Sequence, residues 1–219
     1  MEVTRTWVAF VAALLLALPQ PFRPVLVITG AALGLILIVV GSSAASRCRP
    51  PHPRTSSDRT IEIIWSLLLG ALLGAVLLGA LWWLARLEPA LHARFAHRQD
   101  EPLWRPLALA FESSILEEIT FRLFALSVLA WIASRLTSRD ASVFRIAWLG
   151  STLLFGLAHI PAWSAATRGG PLLFALVLLL NGAGGLLLGW LFWRWGLVQA
   201  ICCHFAGDLV VQALGPRVL

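Results

Sequence analysis

The sequence predicts an all-α integral membrane protein, a single bundle of about seven transmembrane helices around a polar cavity within the membrane. Of its 219 residues, 59% are hydrophobic and only 13% are charged, whereas soluble domains carry about 25% charged residues. The apolar residues form long continuous runs, and a bilayer requires the backbone polar groups of each span to be satisfied internally, as in a helix. Several runs also carry acidic and histidine side chains, which need a protein interior or a wet cavity.

Three of the predicted spans lie in the N-terminal region, residues 1–105. Their apolar runs are roughly Trp7–Leu18, Pro24–Gly41 and Ile61–Leu84. The first run follows Arg5 and is short enough to resemble a signal peptide, but no clear small-residue cleavage site follows it. We therefore expect a retained first helix and a scaffolding role for this region, which carries no motif.

Polar stretches separate these runs from each other and from the rest of the chain. Ser42–Thr60 is rich in Arg, Pro and Ser and is predicted to be an exposed loop, and Arg86–Arg105 is predicted to be a surface-lying segment or loop. Within the third run, the spacing Gly70-x-x-x-Gly74 would let another helix approach closely.

Four further spans are predicted in residues 106–219, which we expect to form the functional core of one membrane domain. The apolar runs are roughly Pro106–Ser134, Phe144–Ile160, Pro171–Trp193 and Leu197–Leu214. A proline at position 161 is expected to close the second of these runs.

The fourth run of the chain carries three acids and a base, Glu112, Glu117, Glu118 and Arg122. A charge at the bilayer centre costs about 2.5–3.5 kcal/mol even on the lenient insertion scale. Glu118 and Arg122 are four residues apart and are expected to pair on one helix face. Glu117 lies about 100° around the helix, so it remains available as a general base. We expect Glu112 near the membrane interface.

Two later spans carry the remaining intramembrane polar groups. His159 stands near the end of one span, and His204 and Asp208 share a helix face of the last span because they are four residues apart. Burying two histidines, an aspartate and a glutamate in separate places would be costly. We therefore expect them to converge with Glu117.

A glutamate and a histidine can activate a water, and a second histidine can stabilise the oxyanion that develops. This chemistry would hydrolyse an amide or an ester. Glu117, His159, His204 and Asp208 could instead be zinc ligands, although the His-Glu-x-x-His signature is absent and no cofactor is expected. A third interpretation is a buried polar network that only fixes helix register.

The pattern of these residues resembles the CPBP family of intramembrane endopeptidases (CAAX proteases and bacteriocin-processing enzymes), also called the Abi family. The resemblance covers roughly Phe111 to Val211 and includes the segment from Asn181 to Ala200 that precedes the last histidine. It rests on three motifs in order, Glu117-Glu118-x-x-x-Arg122, Phe155-x-x-x-His159 and His204-x-x-x-Asp208.

The resemblance implies a glutamate-dependent endopeptidase whose catalytic core lies in residues 106–219. It implies that Glu117 and His159 activate the water and that His204 and Asp208 form the oxyanion site.

Glu118 and Arg122 would support these catalytic groups. Many family members have Asn where this chain has Asp208, and an ionised Asp cannot donate to an oxyanion. Either Asp208 is protonated, or it orients and charges His204. Many members also have Gly at the position of Leu123.

We expect the substrate to be a membrane-anchored protein or peptide that is cut at a C-terminal tail or a leader. The net charge of +6 is explained by topology and anionic headgroups, so the lipid bilayer and not nucleic acid is the expected partner. All 17 basic residues are arginines, which is typical of a GC-rich genome. The expected location is a bacterial inner (cytoplasmic) membrane, with several spans. The sequence predicts neither the oligomeric state nor the substrate.

Two other functions remain open at this point. The chain could be a non-enzymatic immunity or scaffold factor in the membrane. It could also be a proton-coupled transporter in which the glutamates and histidines form a relay, although the repeat symmetry common in transporters is not visible.

Overall fold

The computed structural model describes residues 2–17, 24–48, 56–86, 89–96, 98–166 and 171–219, and these form helices and no strand. The predicted all-α class is therefore confirmed. The helices are α1 Glu2–Ala17, α2 Pro24–Cys48, α3 Ser56–Ala85, α4 Pro89–Ala96, α5 Trp104–Glu118, a π-helical segment Ile119–Leu126, α6 Ser127–Leu136, α7 Asp140–Ala166, α8 Pro171–Arg194 and α9 Leu197–Val218.

Several of these helices are suited to a bilayer, as expected for a multi-pass membrane protein. Among the described residues five are long and apolar enough to cross a membrane, namely α2, α3, α7, α8 and α9. The apolar part of α1, Val3–Leu16, is shorter. The charged fourth run is helical, but its three parts are only 15, 8 and 10 residues long. The count of seven spans thus stays a prediction.

The helices extend beyond the apolar runs at several ends. α2 continues to Cys48 and α3 begins at Ser56, so much of the predicted loop Ser42–Thr60 is helix, and residues 49–55 lie outside the described part. Hydropathy marks where the bilayer ends, whereas Ser, Ala and Arg can continue a helix into water.

Two helices also contain a proline. Pro161 lies inside α7, which runs on to Ala166, and Pro216 lies inside α9. The prediction that Pro161 closes its span was therefore wrong. A proline removes one backbone donor, and helices of membrane proteins tolerate this because neighbouring groups satisfy the freed carbonyl.

The segment Arg86–Arg105, predicted to be a surface stretch or loop, contains the short helix α4 in its described part. Leu91 and Phe95 of α4 are 2% and 5% exposed and join a buried cluster with Leu81, Leu84 and Leu219. α4 therefore packs across the ends of α3 and α9.

The fourth run is one continuous helical stretch with an irregular middle. The π-helical segment Ile119–Leu126 begins directly after Glu118 and contains Arg122. π-helical turns are uncommon and occur frequently at functional sites. Here the irregular turn lies next to the paired glutamates.

α3 lies close against α9 at Gly70 and Gly74, the spacing that was expected to let another helix approach closely. A methyl group at Gly70 would collide with the backbone carbonyl of Cys203, and one at Gly74 would lie 2.5 Å from the backbone oxygen of Gly207. α9 also packs against α5. The helix that carries His204 is thereby fixed between α3 and the helix that carries Glu117.

Candidate active site

The structure brings the four predicted site residues together from three helices. Glu117 lies in the last turn of α5, His159 lies in α7, and His204 and Asp208 lie in α9. Oε2 of Glu117 is 3.6 Å from Nε2 of His159 and 3.7 Å from Nε2 of His204. Nε2 of His204 is also 3.7 Å from Oδ2 of Asp208.

The carboxylate of Glu117 is the centre of this arrangement. Its side chain is 28% exposed, yet Oε2 is buried and has no hydrogen-bond partner among the residues that the structure describes. The distances to the two imidazole nitrogens are too long for direct hydrogen bonds. They suit a bridging water, which would satisfy the unpaired oxygen.

A backbone carbonyl orients the ring of His159. Nδ1 of His159 lies 2.8 Å from the carbonyl oxygen of Phe155, and because that oxygen can only accept, Nδ1 carries the hydrogen. In a neutral imidazole the other nitrogen is then an acceptor. Nε2, which faces Glu117, is therefore able to accept a hydrogen bond.

Glu118 orients the ring of His204. Nδ1 of His204 donates to Oε1 of Glu118 at 2.9 Å, and Oε2 of Glu118 lies 3.3 Å from Nε of Arg122. Glu118 and Arg122 are both 0% exposed. The Glu118–Arg122 pair expected from the four-residue spacing is present. Glu118 also accepts a hydrogen bond from His204, a contact that the sequence did not predict.

The ring of Phe155 supports several of these groups at once. Its centroid is 4.6 Å from that of His159 and 6.0 Å from that of His204. The guanidinium of Arg122 lies 4.4 Å from the same centroid. Phe155 thus gives both imidazoles an apolar wall and gives the buried Arg122 a cation–π contact.

Ser113 is a site residue that the sequence analysis missed. Its hydroxyl lies 2.5 Å from Oδ2 of Asp208, across the contact between α5 and α9. Ser113 precedes Glu117 by four residues, so one helix face presents both. This four-residue spacing was the sequence feature that could have identified Ser113. Glu112, in contrast, does not line the cavity described next.

The site opens into a cavity of about 290 Å³. Most of its lining is apolar, and the polar groups are gathered along part of the wall, so the predicted polar cavity is not confirmed as such. Besides the four predicted residues, the polar lining includes Ser113, Asn181 and Gln212. The apolar walls come from α3, α4, α7, α8 and α9 and include Leu77, Leu81, Leu91, Trp163, Leu176 and Val211.

The zinc alternative requires three or more ligands in a suitable arrangement. In the part of the chain that the structure describes, no group of three or more His, Cys, Asp or Glu side chains could hold a metal ion. The zinc alternative therefore gains no support from the described residues.

Comparison with known proteins gives one match. A family model described as "Type II CAAX prenyl endopeptidase Rce1-like" matches residues 99–210, slightly more than half of the chain. Every residue of the three motifs lies within that range. No curated protein and no solved structure matches the chain.

Proposed function

Because the chain belongs to the type II CAAX prenyl endopeptidase Rce1-like family, a family of membrane proteases, we propose that it is an intramembrane endopeptidase with Glu117 and His159 as its water-activating pair. It would hydrolyse a peptide bond of a membrane-attached protein or peptide. The observation that carries the proposal is Oε2 of Glu117, which has no hydrogen-bond partner within the described part of the chain and lies 3.6 and 3.7 Å from the Nε2 atoms of His159 and His204.

In the first step, a water held between Glu117 and Nε2 of His159 attacks the carbonyl carbon of the substrate. Glu117 takes a proton from the water as the new C–O bond forms, and the carbonyl electron pair moves onto the oxygen. In the second step the oxyanion reforms a C=O bond and the C–N bond breaks. The leaving amine receives the proton from Glu117, so a carboxylic acid and an amine are released.

His204 is suited to stabilising the oxyanion. To donate from Nε2 while Nδ1 donates to Glu118, its ring must carry hydrogens on both nitrogens. The carboxylates of Glu118 and Asp208, at 2.9 and 3.7 Å, favour that charged ring by direct attraction. Asp208 therefore acts by charging and orienting His204, and Ser113 fixes Asp208.

The mainly apolar cavity favours a substrate segment with apolar side chains. Such a segment can enter from the bilayer without a large desolvation cost, because its side chains exchange lipid for leucine and tryptophan. The bond to be cut lies at the polar part of the wall, where Glu117 is only 28% exposed.

The proposal is tested by comparing the termini of membrane proteins, by mass spectrometry, in cells that carry the wild type or the Glu117→Gln variant. Glu117→Gln keeps the side-chain size and removes the base. The matched control is Glu112→Gln, a neighbouring acid of the same helix that does not line the cavity. New termini should appear with the wild type and with Glu112→Gln and be absent with Glu117→Gln. Identical termini in all three, at equal protein abundance, would contradict the proposal.

A further inference from the structure

Asn181 is an isolated polar side chain on an otherwise apolar helix. It is the only asparagine of the chain, and it lies near the middle of α8. From Pro171 to Trp193 no other side chain in the sequence of that helix carries an oxygen atom. Placing an amide in an apolar helix that is long enough to cross a membrane costs free energy unless the amide finds partners. The position of Asn181 therefore needs a reason.

The hydrogen bond that Asn181 makes within the described residues stays in its own helix. Nδ2 donates to the backbone carbonyl of Val177 at 2.8 Å, and since that oxygen can only accept, the bonded atom is the amide nitrogen. Oδ1 and the second N–H have no hydrogen-bond partner among the described residues. Amides of membrane helices often bond across to another helix. Asn181 makes no such bond within the described part of the chain, so a donor and an acceptor remain for a ligand.

The cavity offers room for a ligand at this position. Asn181 lines the cavity, and so do Val177 and Gly184 of the same helix face. Beyond its chain neighbours and the backbone of its own helix, a methyl group on Gly184 would have one described neighbour within 4 Å, Cδ2 of Leu73 at 3.8 Å. A peptide backbone can therefore approach the wall closely one turn from Asn181.

The contacts between α7 and α8 give the depth of Asn181 in the bundle. Methyl groups built on two glycines would touch the facing helix, on Gly185 against Thr152 at 3.0 Å and on Gly156 against Leu178 at 3.2 Å. Asn181 lies between the two contact points on α8, and Phe155 lies between those on α7. Asn181 is therefore level with the ring that contacts both histidines of the site.

A peptide inside this cavity needs partners for its backbone. Each residue brings an N–H and a C=O, and leaving either without a partner in an apolar environment is costly. A side-chain amide matches a peptide group, because it offers one kind of atom that donates and one that accepts. The oxygen of the other amide in the lining, Gln212, already accepts from Arg98. Asn181 has both functions available.

We propose that Asn181 is a positioning residue that binds the backbone of the substrate beside the bond to be cut. Oδ1 accepts from a substrate N–H, and the second N–H of the amide donates to a substrate carbonyl. The bound peptide group lies within about three residues of the cut bond, since an extended chain advances about 3.3 Å per residue. The inference rests on the proposed function and deepens it, because recognition then depends on the main chain of the substrate as well as on apolar side chains.

The test compares a peptide with esters of the same sequence in which one N–H is replaced by oxygen. The peptide copies the sequence around a bond whose cleavage depends on Glu117. Each amide within about three residues of that bond, but not the cut amide itself, is replaced in turn. With the wild type in proteoliposomes, one of the esters should lower kcat/KM about ten-fold, because Oδ1 of Asn181 loses its donor.

Asn181→Leu removes the donor and the acceptor at similar size. It should lower kcat/KM for the peptide about ten-fold and should cut the peptide and the sensitive ester equally well. A purely structural role would slow both and leave their ratio as in the wild type. Asn181→Ala serves in the same way if Asn181→Leu does not fold. The control is Leu179→Ala, at an exposed position of the same helix outside the cavity lining, which should keep the wild-type ratio.

The assignment of Asn181 would be overturned if no ester lowered kcat/KM for the wild type, or if the variant kept the wild-type ratio of peptide to ester. Either result would leave the peptidase in place. Absence of any cleavage that depends on Glu117 would instead overturn the proposed function. The two failures are therefore distinguishable.

Discussion

Oε1 of Glu118 lies 2.9 Å from Nδ1 of His204, across the contact between α5 and α9. The other oxygen of the same carboxylate lies 3.3 Å from Nε of Arg122. One buried carboxylate therefore joins a charge pair within its own helical stretch to the histidine of another helix. This link makes the fold and the proposed chemistry depend on the same residue.

We expect Glu118→Gln to destabilise the protein by about 3–5 kcal/mol, because it leaves the buried charge of Arg122 without a partner. Glu117→Gln should cost less, since Glu117 is not paired with that arginine. The double variant Glu118→Gln/Arg122→Met, which removes both charges, should recover part of the loss. Denaturant unfolding in detergent measures all three. A Glu118→Gln variant as stable as Glu117→Gln would show that the pair contributes little.

Ser113→Ala should lower the rate of cleavage about five- to ten-fold or more, because Asp208 loses its hydrogen-bond donor. Ser113→Thr keeps the hydroxyl and should restore most of the rate. The matched control is Ser114→Ala, since the buried hydroxyl of Ser114 bonds to the carbonyl of Phe111 in its own helix. The measurement is the initial rate on a substrate identified from the altered termini. Equal rates for Ser113→Ala and Ser114→Ala would remove Ser113 from the site.

Gly74→Ala should push α3 away from α9, because the new methyl group would meet the backbone of Gly207. Overpacking of this kind costs about 1–3 kcal/mol, and the displacement of α9 should also slow cleavage. Gly79→Ala in the same helix is the control, since among the described residues no atom beyond its chain neighbours and its own helix backbone lies within 4 Å of the added methyl group. Its stability should be unchanged or slightly raised. The measurements are the thermal unfolding and the cleavage rates of the two variants. Equal stability and equal rates for Gly74→Ala and Gly79→Ala would contradict the close approach of α3 to α9.

The sequence could predict what depends on spacing along one helix. Glu118 and Arg122 are four residues apart, and so are His204 and Asp208, so their shared faces follow from helix geometry alone. Convergence with Glu117 followed from the cost of isolated charges in a membrane. Contacts set by the packing of separate helices, such as Glu118 with His204 and Ser113 with Asp208, could not be read from spacing.

The ends of the helices were also predicted poorly from the sequence. Hydropathy located the apolar runs but missed α4, the π-helical segment and the extension of α7 past Pro161. α4 packs on its neighbours through the large apolar side chains of Leu91 and Phe95. Two apolar residues within a charged stretch are a weak sequence signal for a buried helix. The π-helical turn is an uncommon element, and no composition rule predicts it.

The most direct test of the water-activating role of Glu117 is the rate at which the Glu117→Gln variant, in proteoliposomes, hydrolyses a substrate that the wild type cuts. Loss of a general base typically lowers the rate by about 10² to 10⁴. We predict a fall of that size with unfolding behaviour close to that of the wild type. A rate within about ten-fold of the wild type, from a folded variant, would show that another group activates the water and would contradict the account.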